Sequence, residues 1–124
     1  VHFRRAVSRP RPVAGSVQIH IGGHSDIAAR RAGRMGDGFF PGDHSELPRL
    51  IDLMRHAAED AGRDPDAIEV TVAGAATLGA DGAAEAERLA ELGAHRILIP
   101  PPAFGPDGLD EALGAYANRV IARF

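Results

Sequence analysis

The feature that most constrains this chain is an alternation repeated four times: a short apolar run, a break rich in glycine or proline, and a stretch of helical character. It begins at Val17–Gly38, VQIHIGGHSDIAARRAGRMGDG, where the apolar run Val17–Ile21 stops abruptly at Gly22-Gly23. His24-Ser25-Asp26 follows, then the alanine- and arginine-rich segment Ile27–Met35, closed by Gly36. The pattern predicts a strand, a tight turn, a capped helix and a stop. Ser25 or Asp26 is placed to take free N–H groups at the helix start, and Gly36 suits the left-handed position after a helix. Glycines let the backbone approach a ligand closely, and free N–H groups at the positive end of a helix dipole attract anions. Phosphate is the first ligand to consider at Gly22–Ser25. The plain alternative is a tight turn with no ligand.

The same unit recurs three times more. Gly38–Phe40 reads as a second buried strand, broken by Pro41-Gly42-Asp43. Ser45 is a cap for a long helix with Pro48 in its first turn, and Leu47, Leu50, Ile51, Met54, Ala57, Ala58 and Ala61 form one apolar face before Gly62. Ile68–Ala73 is a β-branched third strand, followed by the small-residue loop Gly74–Gly79 and a helix from Asp81-Gly82 to Gly93. Arg96–Ile99 is a fourth strand that Pro100-Pro101-Pro102 forbids from continuing, and Leu109 to Phe124 closes the chain with an amphipathic helix. Regular alternation with short links implies α/β architecture with parallel strands. Residues 1–16 read as an extended lead-in, and residues 17–124 as four strand–helix units, half of a (βα)8 barrel.

Composition removes several chemistries. The 124 residues suit a single domain, and a net charge of −3 offers nucleic acid or an anionic membrane no attraction. All 14 basic residues are arginine, so no lysine is present to form a Schiff base. Cysteine is absent, which excludes disulfides, thiol catalysis and zinc–thiolate sites and fits a cytoplasmic location. No apolar run approaches the roughly 18 residues of a membrane span. The opening residues lack the apolar core of a signal peptide.

The phrase IHIGGHSDIAARRAGRMGDGFFP, Ile19–Pro41, closely resembles a segment of the bacterial luciferase-like flavin and deazaflavin oxidoreductases. AAEDAGRDPDAIEVTV, LAELGAHRILIP and the terminal helix are similar to that family's closing units, in the same order. The lead-in FRRAVSRPRPV resembles the proline-basic link before them. The resemblance implies the C-terminal half of a (βα)8 TIM barrel, with coenzyme F-420 (a deazaflavin) or FMN held at the C-terminal mouth; the glycine phrase leans towards F-420. It implies a cofactor phosphate near Gly22, Gly23, His24 and Ser25, with Gly38 and Phe39 as further candidate contacts. The family's early strands, which supply much of the ring pocket, have no counterpart here.

Other residues carry weaker signals. His20 suits a core or barrel-lining role, Asp37 a turn cap, and one of Phe39 and Phe40 the core while the other lines the mouth. Thr71 suits a place facing the barrel interior, and Thr77, in the loop at the strand's carboxyl end, is a candidate substrate contact. His24, His44 and Asp43 are spaced too widely for a metal site, and none is assigned. No carboxylate or histidine pair marks a catalytic acid and base, consistent with hydride transfer performed mainly by a cofactor. The expected function is the C-terminal part of a luciferase-like (monooxygenase-like) oxidoreductase moving hydride between F-420 or FMN and a small organic substrate. The rival is a non-catalytic half-barrel used for assembly or binding. Either half-barrel is expected to pair with an N-terminal half or with itself, because its inner face and two sheet edges are otherwise bare. An independent open-sheet phosphate-binding domain is the third reading, and it predicts a monomer.

Overall fold

A computed structural model describes residues 10, 12–42, 44–103 and 105–124. Most of the expected lead-in, and Asp43, lie outside the described residues. Four strands, β1 (His20–Gly22), β2 (Gly38–Phe40), β3 (Glu69–Ala73) and β4 (Arg96–Leu98), alternate with four helices, α1 (Asp26–Met35), α2 (Leu47–Asp60), α3 (Gly82–Glu91) and α4 (Pro106–Arg119). Short 3-10 turns occupy Pro65–Ala67, Ala75–Leu78 and Ile121–Arg123. The strands form one parallel sheet in the order β1-β2-β3-β4, with His20 opposite Gly38, Gly38 opposite Glu69 and Thr71 opposite Arg96. This is the α/β, βα-repeated architecture that the alternation predicts.

The alternation of side chains across each strand divides the sheet into two unlike faces. Phe39, Val70 and Val72 turn to the helices and join Ala29, Ala32, Leu47, Leu50, Met54, Ala58, Ile68 and Leu89 in the core, with Ile21 and Ile97 packed against it. The other face carries His20, Gly22, Ala73, Arg96 and Leu98, all exposed. Leu98 keeps 55% of its surface in water, and Ile19, just before β1, keeps 57%. One face of the sheet is therefore a finished core and the other is bare.

Local chemistry explains most of the boundaries. Ser25 caps α1, its hydroxyl accepting the Ala28 N–H at 3.3 Å. Gly62 and Gly93 follow α2 and α3 with φ of 68° and 98°, the left-handed stop that favours glycine. Gly36 departs from that expectation, with extended backbone at φ −89° and ψ 151°. Its reason for being glycine is space: an added Cβ would lie 3.0 Å from Ala32 O, Gly38 O and Ile21 Cγ1. The N-cap of α2 is Glu46, one residue beyond the expected Ser45, and Ala61 is exposed, outside the helix's buried face.

β1 also starts later than the apolar run suggests. The ladder begins at His20 and leaves Val17 and Ile19 exposed. Asp37 replaces the missing pairing: its carboxylate accepts the Ile19 N–H at 2.8 Å, and its own N–H donates to Ile19 O at 2.8 Å. Asp37 is thus structural as expected, but it ties two strands together and does not cap its own turn. Helix α1 crosses α2 so closely at Gly33 that an added Cβ would sit 2.2 Å from Met54 O. Arg63 holds the end of α1, donating to Ala32 O at 3.3 Å and to Gly33 O and Gly36 O at 2.6 Å each.

Candidate functional site

Because all four strands run the same way, their carboxyl ends and following loops gather on one side. In barrels built from such units, that is the side where binding and catalytic residues collect. Here it brings together the turn Gly22–Ser25 at the end of β1, Pro41, Gly42 and His44 after β2, Gly74–Leu78 after β3 and Ile99–Pro102 after β4.

The turn after β1 matches its sequence signature. Gly23 has φ 126°, where a side chain is strained, and an added Cβ would lie 3.0 Å from Ala28 Cβ. Its N–H donates to Phe40 O at 3.1 Å, which locks the turn against β2. The N–H groups of His24, Ser25 and Ile27 have no acceptor among the described residues. They sit at the start of the ten-residue helix α1, where the dipole favours an anion. Gly22 borders open space, the nearest atom to an added Cβ being Phe40 O at 4.0 Å.

One acidic group lies in this first turn, Asp26. Arg49 neutralises it with a 2.8 Å ion pair, and Arg30 approaches to 3.9 Å. The Arg49 hydrogen bond, opposed in part by desolvation, holds the Asp26 carboxyl below its usual range. The second nitrogen of Arg49 bonds Glu46. The turn therefore offers N–H donors without a bare negative charge beside them. Those are the requirements for holding a phosphate ester, and the residues present fit such a group.

Two clefts adjoin the strand ends. One, of about 340 Å³, is lined by Gly42, His44, Ala73, Gly74, Ala75, Ala76 and Glu85. The other, of about 500 Å³, is walled by Ala73, Ala75, Leu98, Ile99, Pro100 and Pro101 and is nearly free of polar atoms. A third, of about 360 Å³, lies between α1 and α2 among Arg30, Arg34, His56 and Asp60. It belongs to the helical side and meets no strand end.

The remaining candidates separate cleanly. Gly22, Gly23, His24 and Ser25 stand together at the mouth. Gly38 does not join them: it opens β2 at the amino end of the sheet, where the His20 ring fills the space of its missing Cβ, 2.3 Å from that position. Phe39 is fully buried in the core and has no surface to give a cofactor, so Phe40 is the aromatic of this strand on the open side. The burial order follows from side-chain alternation, which a three-residue strand is too short to display in sequence.

Thr77 is fully buried, donating to Gly74 O at 2.6 Å and meeting the Tyr116 hydroxyl at 3.2 Å, so it braces the loop and is not a substrate contact. Thr71 is buried too and donates to Glu69 at 3.2 Å. Glu69 also takes Arg96 at 2.8 Å and lies 4.0 Å from His20 Nε2. This network crosses the bare face at the amino end of the sheet, away from the mouth. The sequence reading missed Glu69 and Arg96, the first residues of their strands, and it missed Glu85 in the first turn of α3. The signal for the first two was a charged residue at each strand entrance.

No helix among the described residues is long and apolar enough to cross a membrane. No curated protein matches the chain. Among solved structures, the coenzyme F420-dependent tetrahydromethanopterin reductase from Methanopyrus kandleri superposes with a TM-score of 0.68 at 13% identity, covering 87% of this chain and 51% of that one. The chain thus spans about half the length of that structure, and the likeness identifies a TIM-barrel-like fold. The family model for luciferase-like monooxygenases matches residues 1–119. With the glycine turn, the parallel βα units and that match agreeing, the chain belongs to the luciferase-like monooxygenase family.

Proposed function

We propose that this chain is the cofactor-phosphate half of an oxidoreductase barrel that transfers hydride between F-420 or FMN and a small organic substrate. The observation that carries the reading is the turn Gly22–Ser25, with three N–H groups lacking acceptors among the described residues at the start of α1 and Asp26 paired with Arg49. When bound, the cofactor supplies the hydride chemistry. The chain's own residues bind its phosphate through backbone N–H groups and the Ser25 hydroxyl, and Phe40 borders the space beside it. The name of the solved reductase, which is F420-dependent, favours the deazaflavin over FMN. The cysteine-free sequence supports a cytoplasmic setting.

The bare sheet face, with exposed Ile19 and Leu98, supports a working form in which another half-barrel, or a second copy of this chain, covers it. Light scattering coupled to size exclusion, with absorbance for bound F-420 or FMN, tests both parts. A dimer carrying either cofactor supports the enzyme. An oligomer that binds neither supports the rival reading, a non-catalytic assembly module, and a monomer without cofactor removes pairing with a second copy of this chain. The site itself is tested with Gly22→Val, whose Cβ would lie no closer than 4.0 Å to a neighbour, Phe40 O. Affinity for F-420 or FMN should fall at least tenfold with the fold retained; unchanged affinity removes the turn from the site.

A further inference from the structure

The cleft between the β2–α2 and β3–α3 connections has a chemistry unlike the glycine turn beside it. Its floor and walls are Gly42 and Ala73–Ala76, residues with no side chain beyond Cβ, so the space of about 340 Å³ is left by their smallness. Two residues with functional side chains line it, His44 from the loop after β2 and Glu85 from the first turn of α3. They are 41 positions apart in sequence and line one cleft only through the fold.

Glu85 is held in place by a two-pronged pair with Arg88, at 2.8 Å and 2.7 Å. The Arg88 hydrogen bond keeps the carboxyl below its usual range, with His44 adding a weaker electrostatic pull in the same direction. Glu85 is therefore a fixed acceptor. An imidazole ring offers an N–H donor in either protonation state. The glycine turn borders the cleft through His24, which lies against Gly42, where an added Cβ would be 3.2 Å from the ring nitrogen.

We propose that this cleft is a second ligand subsite, taking an uncharged hydroxyl group that donates to Glu85 and accepts from His44. The pair selects by chemistry. An anion would face the Glu85 carboxylate, and an ammonium has no lone pair to accept the imidazole N–H and would approach the Arg88 guanidinium. A hydroxyl does both jobs with no charge to desolvate. The inference extends the proposed function from the cofactor end of the mouth to the substrate, which it assigns to hydroxyl-bearing compounds.

The test is an amide and imidazole NMR titration of the ¹⁵N-labelled full chain with glycerol, methylammonium and inorganic phosphate in separate arms. Glycerol should give saturable shifts confined to Ala73–Ala76 and the His44 ring. Glu85→Ala should weaken them at least tenfold. Ala75→Phe, which fills the cleft from an exposed position and leaves Glu85 in place, should abolish them. Three results would each overturn the proposal: no localised glycerol shift, equal shifts in both variants, or a stronger response to methylammonium. Phosphate should move Gly22–Ser25 alone. If it does not, while glycerol still moves the cleft, the phosphate reading fails and the hydroxyl subsite stands.

Discussion

The two ends of the sheet treat their polar groups in opposite ways. At the amino end they satisfy one another: Glu69 gathers Thr71, Arg96 and His20, Asp37 closes on Ile19, and Arg63 fills the last carbonyls of α1. At the carboxyl end the N–H groups of His24, Ser25 and Ile27 have no acceptor among the described residues, and Glu85, held by Arg88, lines a cleft. Helix α1 joins the two, its end held by Arg63 and its start left available. A polar group that is satisfied internally adds stability, whereas one that is held rigid but unfilled can add binding. The same sheet thus separates a structural pole from a functional one.

That comparison is broken most severely at Arg63. Arg63→Met should leave the Ala32, Gly33 and Gly36 carbonyls without their shared donor and cost about 2–3 kcal/mol of stability. Urea unfolding measures the loss, and phosphate-dependent shifts at Gly22–Ser25 should survive wherever the fold does. Next comes Gly23→Ala, which places a side chain at φ 126° and costs about 1–2 kcal/mol. It should weaken phosphate binding as well, so it mixes the two effects that Gly22→Val keeps apart.

At the amino end, Asp37→Ala removes the acceptor of the Ile19 N–H and should cost about 1 kcal/mol in thermal or urea unfolding, with ligand binding unchanged. A loss of cofactor affinity in that variant would show the poles to be coupled.

The smallest effect is a pH dependence. Asp26 has its carboxyl lowered from an ordinary value of 3.8, so its unfolded form binds a proton more readily than its folded form. Its contribution is present above that value and is lost as pH falls from there through the lower folded one. Arg49→Gln should flatten the acid limb of a stability–pH curve in that window. It should also weaken phosphate binding at neutral pH by leaving Asp26 less well neutralised. An acid limb unchanged from the parent would show the pair to be without weight, as many exposed pairs are.

Much of the fold was legible because its signals are local. The apolar runs, the period of α2, the Ser25 cap and the stops at Gly62 and Gly93 each depend on residues a few positions apart, and each has a counterpart in the structure. The glycine turn was legible for the same reason. Gly36 shows where local rules stop: the conformation expected there gave way to crowding from Ile21 and Gly38.

By itself, the amino-acid sequence determined the order of elements, the parallel α/β class and the position of the glycine turn, since these follow from hydrophobic period and backbone conformation over short spans. Only the tertiary structure decided that Phe39 faces the core and Phe40 the open side. It alone brought Asp37 to Ile19, Arg63 to the end of α1, and His44 to the same cleft as Glu85. The physical reason is that a three-residue strand has no readable alternation, and that partners tens of residues apart are chosen by how helices and sheet pack.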